Sequence, residues 1–262
     1  MKLRFLDKGH KYQSDNGIKW TSVTKLIHKY ENGFNSKAQA YASSLNPNSK
    51  WFGMEVKDIL SVWAKENRRS TTAGHWYHAR MEEKALKTQF KEYKGHNLQV
   101  FEPLKVKNYK LAREQKLESG IYPEHLVYST EFAVCGQVDL PYVYDRYVDI
   151  LDYKTNKELK FEGYGGKMMR YGLKHLPDAN YYHYCLQLSV YMRLILLANP
   201  HLKPGEMKIY HVTFENEGFD EFGFPILKKN NEGNFFPKKG KYHKVPYLEK
   251  EAIYMLKNNI AR

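Results

Sequence analysis

Two apolar segments that each end in an acid constrain this chain more than any other feature: EFAVCGQVDL at 131–140 and YVDILDYKT at 147–155. Both are rich in β-branched and aromatic residues, which favours strands. Side chains two apart on a strand share a face, so Asp152 and Lys154 point the same way. The stretch 141–146 can turn the chain back, which sets Asp139 beside Asp152. Two carboxylates and an ammonium on one strand pair are costly to bury unless they hold a metal or do chemistry. The triplet closes an apolar run, Val148, Ile150 and Leu151, which argues against a solvated loop. This is the layout of a metal-dependent phosphodiesterase.

The charge balance points to the same chemistry. The 42 Lys and Arg outnumber 29 Asp and Glu, for a formal charge of +13, which favours a polyanionic partner, most commonly nucleic acid. Net charge also serves solubility, so a generally basic surface is the competing explanation. The 22 tyrosines interleave with lysines, a mixture suited to single strands, where bases stack and phosphates pair. Cys135 and Cys185 belong to no C-x-x-C pair, so neither zinc nor an iron–sulfur cluster is expected. They read as small buried residues of a reducing compartment. The opening Met1–Asp7 is no signal peptide, and the longest apolar run, 194–198, is too short for a membrane. A cytoplasmic protein without membrane association is expected.

At 262 residues the chain fits a single domain. Residues 1–70 read as an N-terminal hairpin and helices, 71–214 as the core and 215–262 as a basic extension. The hairpin spans 3–20 around the turn Asp15-Asn16-Gly17, and Thr21 or Ser22 caps a helix from Val23. Helices are predicted at 36–44, 55–67 and 73–89, the last capped by Thr71 or Thr72, and again at 104–118. Strands follow at 126–134, 137–144 and 147–153. Residues 158–178 read as a loop over the site, 180–198 as a long apolar helix, 207–214 as a strand, 226–245 as a basic loop or hairpin and 247–259 as a closing helix. The order predicts an α/β fold with a central mixed β-sheet flanked by helices.

Three further constellations carry chemistry. His78 and Glu82 stand four apart on a helix and share a face, with Gly74 one turn before His78. By themselves they read as an exposed His–Glu pair, and His75 can replace His78. Gln187 and Tyr191 are again four apart, on the apolar helix; a buried amide there needs a partner and can orient a water or contact a phosphate. Lys238, Lys239 and Lys241 form a basic cluster that is either a phosphate track or a solvated loop. Gly163-Tyr-Gly-Gly-Lys167 lacks the spacing of a nucleotide-binding loop, so no nucleotide cofactor is expected.

Taken together, these elements resemble the PD-(D/E)XK nuclease superfamily, in its RecB-like exonuclease branch, which includes phage and mitochondrial genome maintenance exonucleases. The branch's G-x-x-x-H-x-x-x-E helix matches Gly74, His78 and Glu82; its E…G-x-x-D strand matches Glu131, Gly136 and Asp139. Its D-x-K matches Asp152 and Lys154, and its Q-x-x-x-Y helix matches Gln187 and Tyr191. The likeness covers roughly residues 3–214. It implies a PD-(D/E)XK core in which His78, Asp139, Asp152 and the backbone carbonyl of Tyr153 ligate Mg²⁺ or Mn²⁺. It implies that Lys154 orients the attacking water, that Glu131 supports a second ion or orders waters, and that Glu82 acts behind these ligands. Gln187 and Tyr191 would position water, Lys154 or the substrate phosphate. The implied activity is a DNA exonuclease, on single strands or ends, in phage or bacterial recombination, replication or repair. A structure-specific or nicking endonuclease of the same fold and a non-catalytic DNA-binding module are the alternatives, and RNA stays open as substrate. A single-strand annealing protein or a helicase is the protein partner suggested by analogy.

Overall fold

The computed structural model describes residues 2–6, 9 and 11–260. In chain order the elements begin with β1 (Leu3–Leu6), β2 (Lys11–Ser14), β3 (Thr21–Ser22), α1 (Val23–His28), α2 (Ser36–Leu45) and α3 (Val56–Leu86). Then come β4 (Phe90–Tyr93), β5 (His96–Gln99), β6 (Leu104–Val106), β7 (Tyr109–Leu111), β8 (Gly120–Ile121) and β9 (His125–Ser129). The centre of the chain supplies β10 (Val134–Val138), β11 (Leu140–Tyr144), β12 (Tyr147–Lys154) and, after two short 3₁₀ turns, α4 (Asn180–Ala198). It ends with β13 (Lys203–His211), β14 (Asn216–Phe219), β15 (Pro225–Leu227), β16 (Lys241–Val245) and α5 (Glu249–Ile260).

The fold is mixed α/β. A five-stranded mixed sheet runs in the order β16-β13-β12-β11-β8, with β12 and β13 parallel and the other neighbours antiparallel. Strand alternation divides β12 between two faces. Val148 and Ile150 join the large core made with Leu186, Val190 and Leu194 of α4 and Met255 of α5. Leu151 and Tyr153 face the opposite side, toward α3: Tyr153 meets Tyr77 edge-on, with ring centroids 5.8 Å apart. Nine residues of α4 are buried, so this helix forms the central pillar of the core.

Several expectations hold. Ser22 caps α1 by accepting from the Lys25 N–H, α4 spans the expected residues, and both cysteines are buried. Others are corrected. The predicted break between helices at 67–73 is absent: α3 continues for 31 residues, and Thr71 and Thr72 do not cap a helix. Their hydroxyls donate back to the Asn67 and Arg68 carbonyls one turn earlier, an arrangement an α-helix tolerates. Residue 70, the expected border of the N-terminal region, therefore falls inside one helix.

The predicted helix at 104–118 is instead the hairpin β6–β7, because β1 offers β7 a partner edge, and the four strands close into the sheet β2-β1-β7-β6. Asp15-Asn16-Gly17 follows β2; the connection between β1 and β2 falls earlier, partly outside the described residues. Within 141–146 only Asp145 and Arg146 turn; residues 141–144 are strand.

One close approach ties the fold to the site. Gly136 on β10 lies under the ring of Tyr191 on α4, and a Cβ there would overlap that ring and crowd Val23 of α1. Gly136→Ala should therefore lower stability by about 1–3 kcal/mol through overpacking, read as a fall in the urea midpoint with an unchanged m-value. An unchanged midpoint would show that the contact is not tight.

Candidate active site

The β11–β12 hairpin builds the centre of the site. Its ladder ends at Leu140↔Leu151, so Asp139 and Asp152 are the next pair beyond it, side by side where the two strands part. Asp139 is also the single residue between β10 and β11, where the chain passes from one sheet into another. Its Oδ2 accepts the Tyr153 N–H at 2.7 Å, which locks the two strand ends together. Asp152 and Lys154 share the α4 face, as expected, and Lys154 Nζ lies 2.6 Å from Asp152 Oδ2. From α4, Gln187 Oε1 accepts from Lys154 Nζ at 2.9 Å, and Gln187 Nε2 donates to the Tyr191 hydroxyl at 3.1 Å. Tyr184, one turn earlier on the helix, sets its ring 4.5 Å from the ammonium. Lys154 is thus held on three sides in one rotamer.

Helix α3 brings the third wall. His78 Nδ1 stands 3.3 Å from Asp139 Oδ2. Gly74, one turn before, permits this approach: a Cβ on it would come within 3.0 Å of Thr155 Oγ1. Glu82, one turn beyond His78, pairs with Lys105 at 2.8 Å and Lys110 at 3.6 Å. Lys110 in turn pairs with Glu124 at 3.2 Å, so Glu82 acts on the site through a lysine.

Glu131 does not reach the cluster. It is exposed in the turn before β10, whereas Asp139 follows the far end of that strand. Five strand residues separate the two ends, about 16 Å at the rise of a β-strand. The nearby acid is Glu124, which sequence reasoning passed over. It lies just before β9 with a left-handed φ of 54°, and its N–H donates to the Asp139 carbonyl at 2.8 Å. Its carboxylate also accepts from Gln137. The one sequence signal was an acid two residues before the apolar run at 126–128, and nothing in that spacing separates it from a loop acid.

His78, Glu124 and Asp139 each offer one ligand atom, all within 4.8 Å of one another. The electrostatics fit a cation. Burial and the charge of Asp139 push Glu124 up to about 7, and the same two causes push Asp152 up to about 6. Burial also works against the His78 charge, but Asp139 outweighs it and raises His78 to about 9. Burial likewise opposes ionisation of Asp139, yet His78, Lys154 and the Tyr153 N–H hold it below the ordinary carboxylate value. Lys154 is raised because Asp152 and Asp139 overcome the cost of its burial. Crowded acids that resist ionisation and an imidazole beside them form a donor set suited to Mn²⁺ or Mg²⁺. Asp152, at the end of the ladder beside Asp139, and the Tyr153 peptide adjoin this trio.

His78 and Lys154 line a cleft of about 520 Å³ together with Tyr184, Gln187, His28, Glu31 and His183, while Glu124, Asp139 and Asp152 do not line it. Residues 158–178 do not line it, although Glu158 and Lys160 hydrogen-bond Asn180 at its rim. Of the basic cluster, Lys241 pairs with His211, which pairs with Lys154, so it lies two strands from Lys154, about 10 Å. Lys238 and Lys239 are exposed in the approach to β16.

Because the Glu124 pKa is raised in the fold, its ionisation costs stability; the cost is absent below pH about 4.5 and complete above about 7. Metal-free Glu124→Gln should then melt no lower than the parent at pH 8 and gain nothing at pH 5. Mn²⁺ should raise the melting temperature of the parent, by more as pH climbs from 6 to 9 and His78 and Glu124 release protons, and much less that of Glu124→Gln. Absence of any Mn²⁺-dependent shift across that range would overturn the assignment. Comparison with known protein families, with curated proteins and with solved structures finds no match to this chain.

Proposed function

We propose that this protein is a divalent-metal-dependent nuclease that hydrolyses phosphodiester bonds of DNA, acting as an exonuclease on single strands or ends. One observation carries the reading: Asp139 and Asp152 stand side by side at the end of a strand pair, with Lys154 fixed between Asp152 and Gln187. The agreement of this arrangement with the four motifs supports a PD-(D/E)XK-like core and the RecB-like branch within it. A setting in phage or bacterial recombination, replication or repair follows from that likeness.

His78, Glu124 and Asp139 would hold the cation, with Asp152 and the Tyr153 carbonyl beside them. When bound, the ion supplies charge to the scissile phosphate and acidity to a water. The residues do the rest. Lys154 donates from its ammonium to the attacking water and to the charge that builds on the phosphorane oxygens. Gln187 keeps that ammonium aimed, and Tyr191 keeps Gln187 aimed. Water adds to phosphorus, the P–O bond to the leaving sugar oxygen breaks, and the proton the water gives up ends on that oxygen, leaving a phosphomonoester. Glu82 serves indirectly, by holding Lys110 against Glu124. Glu131 has no part in this mechanism.

Lys154→Ala, Asp139→Ala and Asp152→Ala should each lower cleavage of end-labelled linear DNA in Mg²⁺ or Mn²⁺ by at least about a hundredfold. EDTA should abolish cleavage, and a closed single-stranded circle should survive. A cut circle moves the reading to an endonuclease. DNA binding without cleavage of any substrate moves it to a binding module, and near-parental rates in the variants remove the site.

A further inference from the structure

A second recess adjoins the reactive cleft. It has a volume of about 290 Å³ and lies between α3 and the segments that follow β12 and β13. Ser70 and Thr155 line both spaces, so the two adjoin along α3. Both lie at the carboxyl ends of the parallel pair β12 and β13, where open α/β sheets bind ligands. Arg69, Lys157 and Lys238 face the recess against a single acid, Glu66.

These three cations are not equally available. Arg69 is spent on the fold: it pairs with Glu66 at 2.8 Å and Asp220 at 2.9 Å, and donates to the Pro225 carbonyl at 3.0 Å. Lys157 is shared, with Glu66 at 3.1 Å, but its side chain is 56% exposed and can swing to an incoming anion. Lys238 makes no ion pair among the described residues, while its backbone N–H is pinned to the Thr213 carbonyl at 2.7 Å. Its position is therefore fixed and its charge is uncommitted. Ser70, Thr155 and Thr213 add hydroxyl donors to the same walls, the group types that bind phosphate oxygens.

We propose that this recess is a second phosphate site, in which Lys157 and Lys238 hold the backbone of the nucleic-acid strand whose neighbouring phosphodiester occupies the reactive cleft. The inference rests on the nuclease reading and deepens it. A lone small anion fills one space only, whereas a polymer with phosphates at intervals fills both. The site selects Lys238 from the basic cluster by position, since Lys239 and Lys241 do not line the recess.

The test is fluorescence anisotropy of a labelled oligothymidylate in EDTA, so that no strand is cut, at several salt concentrations. The proteins are the parent, Lys238→Ala, the Lys157→Ala/Lys238→Ala pair, and Lys203→Ala as an equal charge change. Lys203 is exposed at the start of β13, the end opposite to His211. Lys238→Ala should weaken binding about three- to tenfold at low salt and flatten the log–log salt slope by about 0.7, and the pair by about 1.4. Lys203→Ala should change neither. Circular dichroism melts unchanged by these surface substitutions establish that binding alone is altered. Equal affinity and slope in parent and double variant would overturn the second site while leaving the nuclease reading intact. Losses in Lys203→Ala as large as in Lys238→Ala would overturn it too, as general charge attraction. A parent that binds no oligonucleotide would overturn the second site.

Discussion

The register of one hairpin governs the site. Because Leu140 pairs with Leu151, Asp139 and Asp152 come to rest side by side, and a slip of one residue would turn Asp152 and Lys154 to the α3 face. That register is held from both ends. At the turn, buried Asp149 accepts from the Tyr93 hydroxyl and Lys94 at 2.6 Å each, and from the Glu206 N–H at 2.6 Å. At the site end, the Tyr153 N–H closes on Asp139. Val148 and Ile150, buried against α4, fix which face is which.

Charge placed there has to be compensated, and the compensation runs outward in layers. Lys154 answers Asp152, Gln187 answers Lys154, and Tyr191 answers Gln187; each link is a single hydrogen bond or ion pair. On the other flank His78 answers Asp139, and Lys110 connects Glu124 to Glu82. The compensation is incomplete, since Glu124 and Asp152 both remain hard to ionise. In the proposed function a bound cation would complete it. This is the balance expected where stability has been given up for a functional group.

Two glycines show how the layers are brought close. Gly136 makes room for Tyr191, and Gly74 for the strand end at Thr155. Both lie within motifs that also contain a polar site residue, so the spacing G-x-x-D or G-x-x-x-H records a contact distance as well as a chemistry. The uninterrupted α3 has a similar role. One helix carries His78 and Glu82 to the carboxylate cluster and Glu66, Arg69 and Ser70 to the adjoining recess.

The sequence by itself determined the hairpin, the shared face of Asp152 and Lys154, a cap at Thr21 or Ser22 and the apolar helix with Gln187 and Tyr191. These depend on alternation, helical spacing and local hydrogen bonds within a few residues. Tertiary structure decided the rest. Residues 104–111 became strands because β1 supplied an edge that no local propensity encodes. Thr71 and Thr72 read as caps, but their hydroxyls returned to the helix once both flanks of α3 were packed. Glu131 and Glu124 are both acids near strand ends, and only the path of β10 shows that the first is carried away from Asp139 while the second is folded against it. Proximity across a sheet depends on which strands pair, and pairing is settled by the whole core.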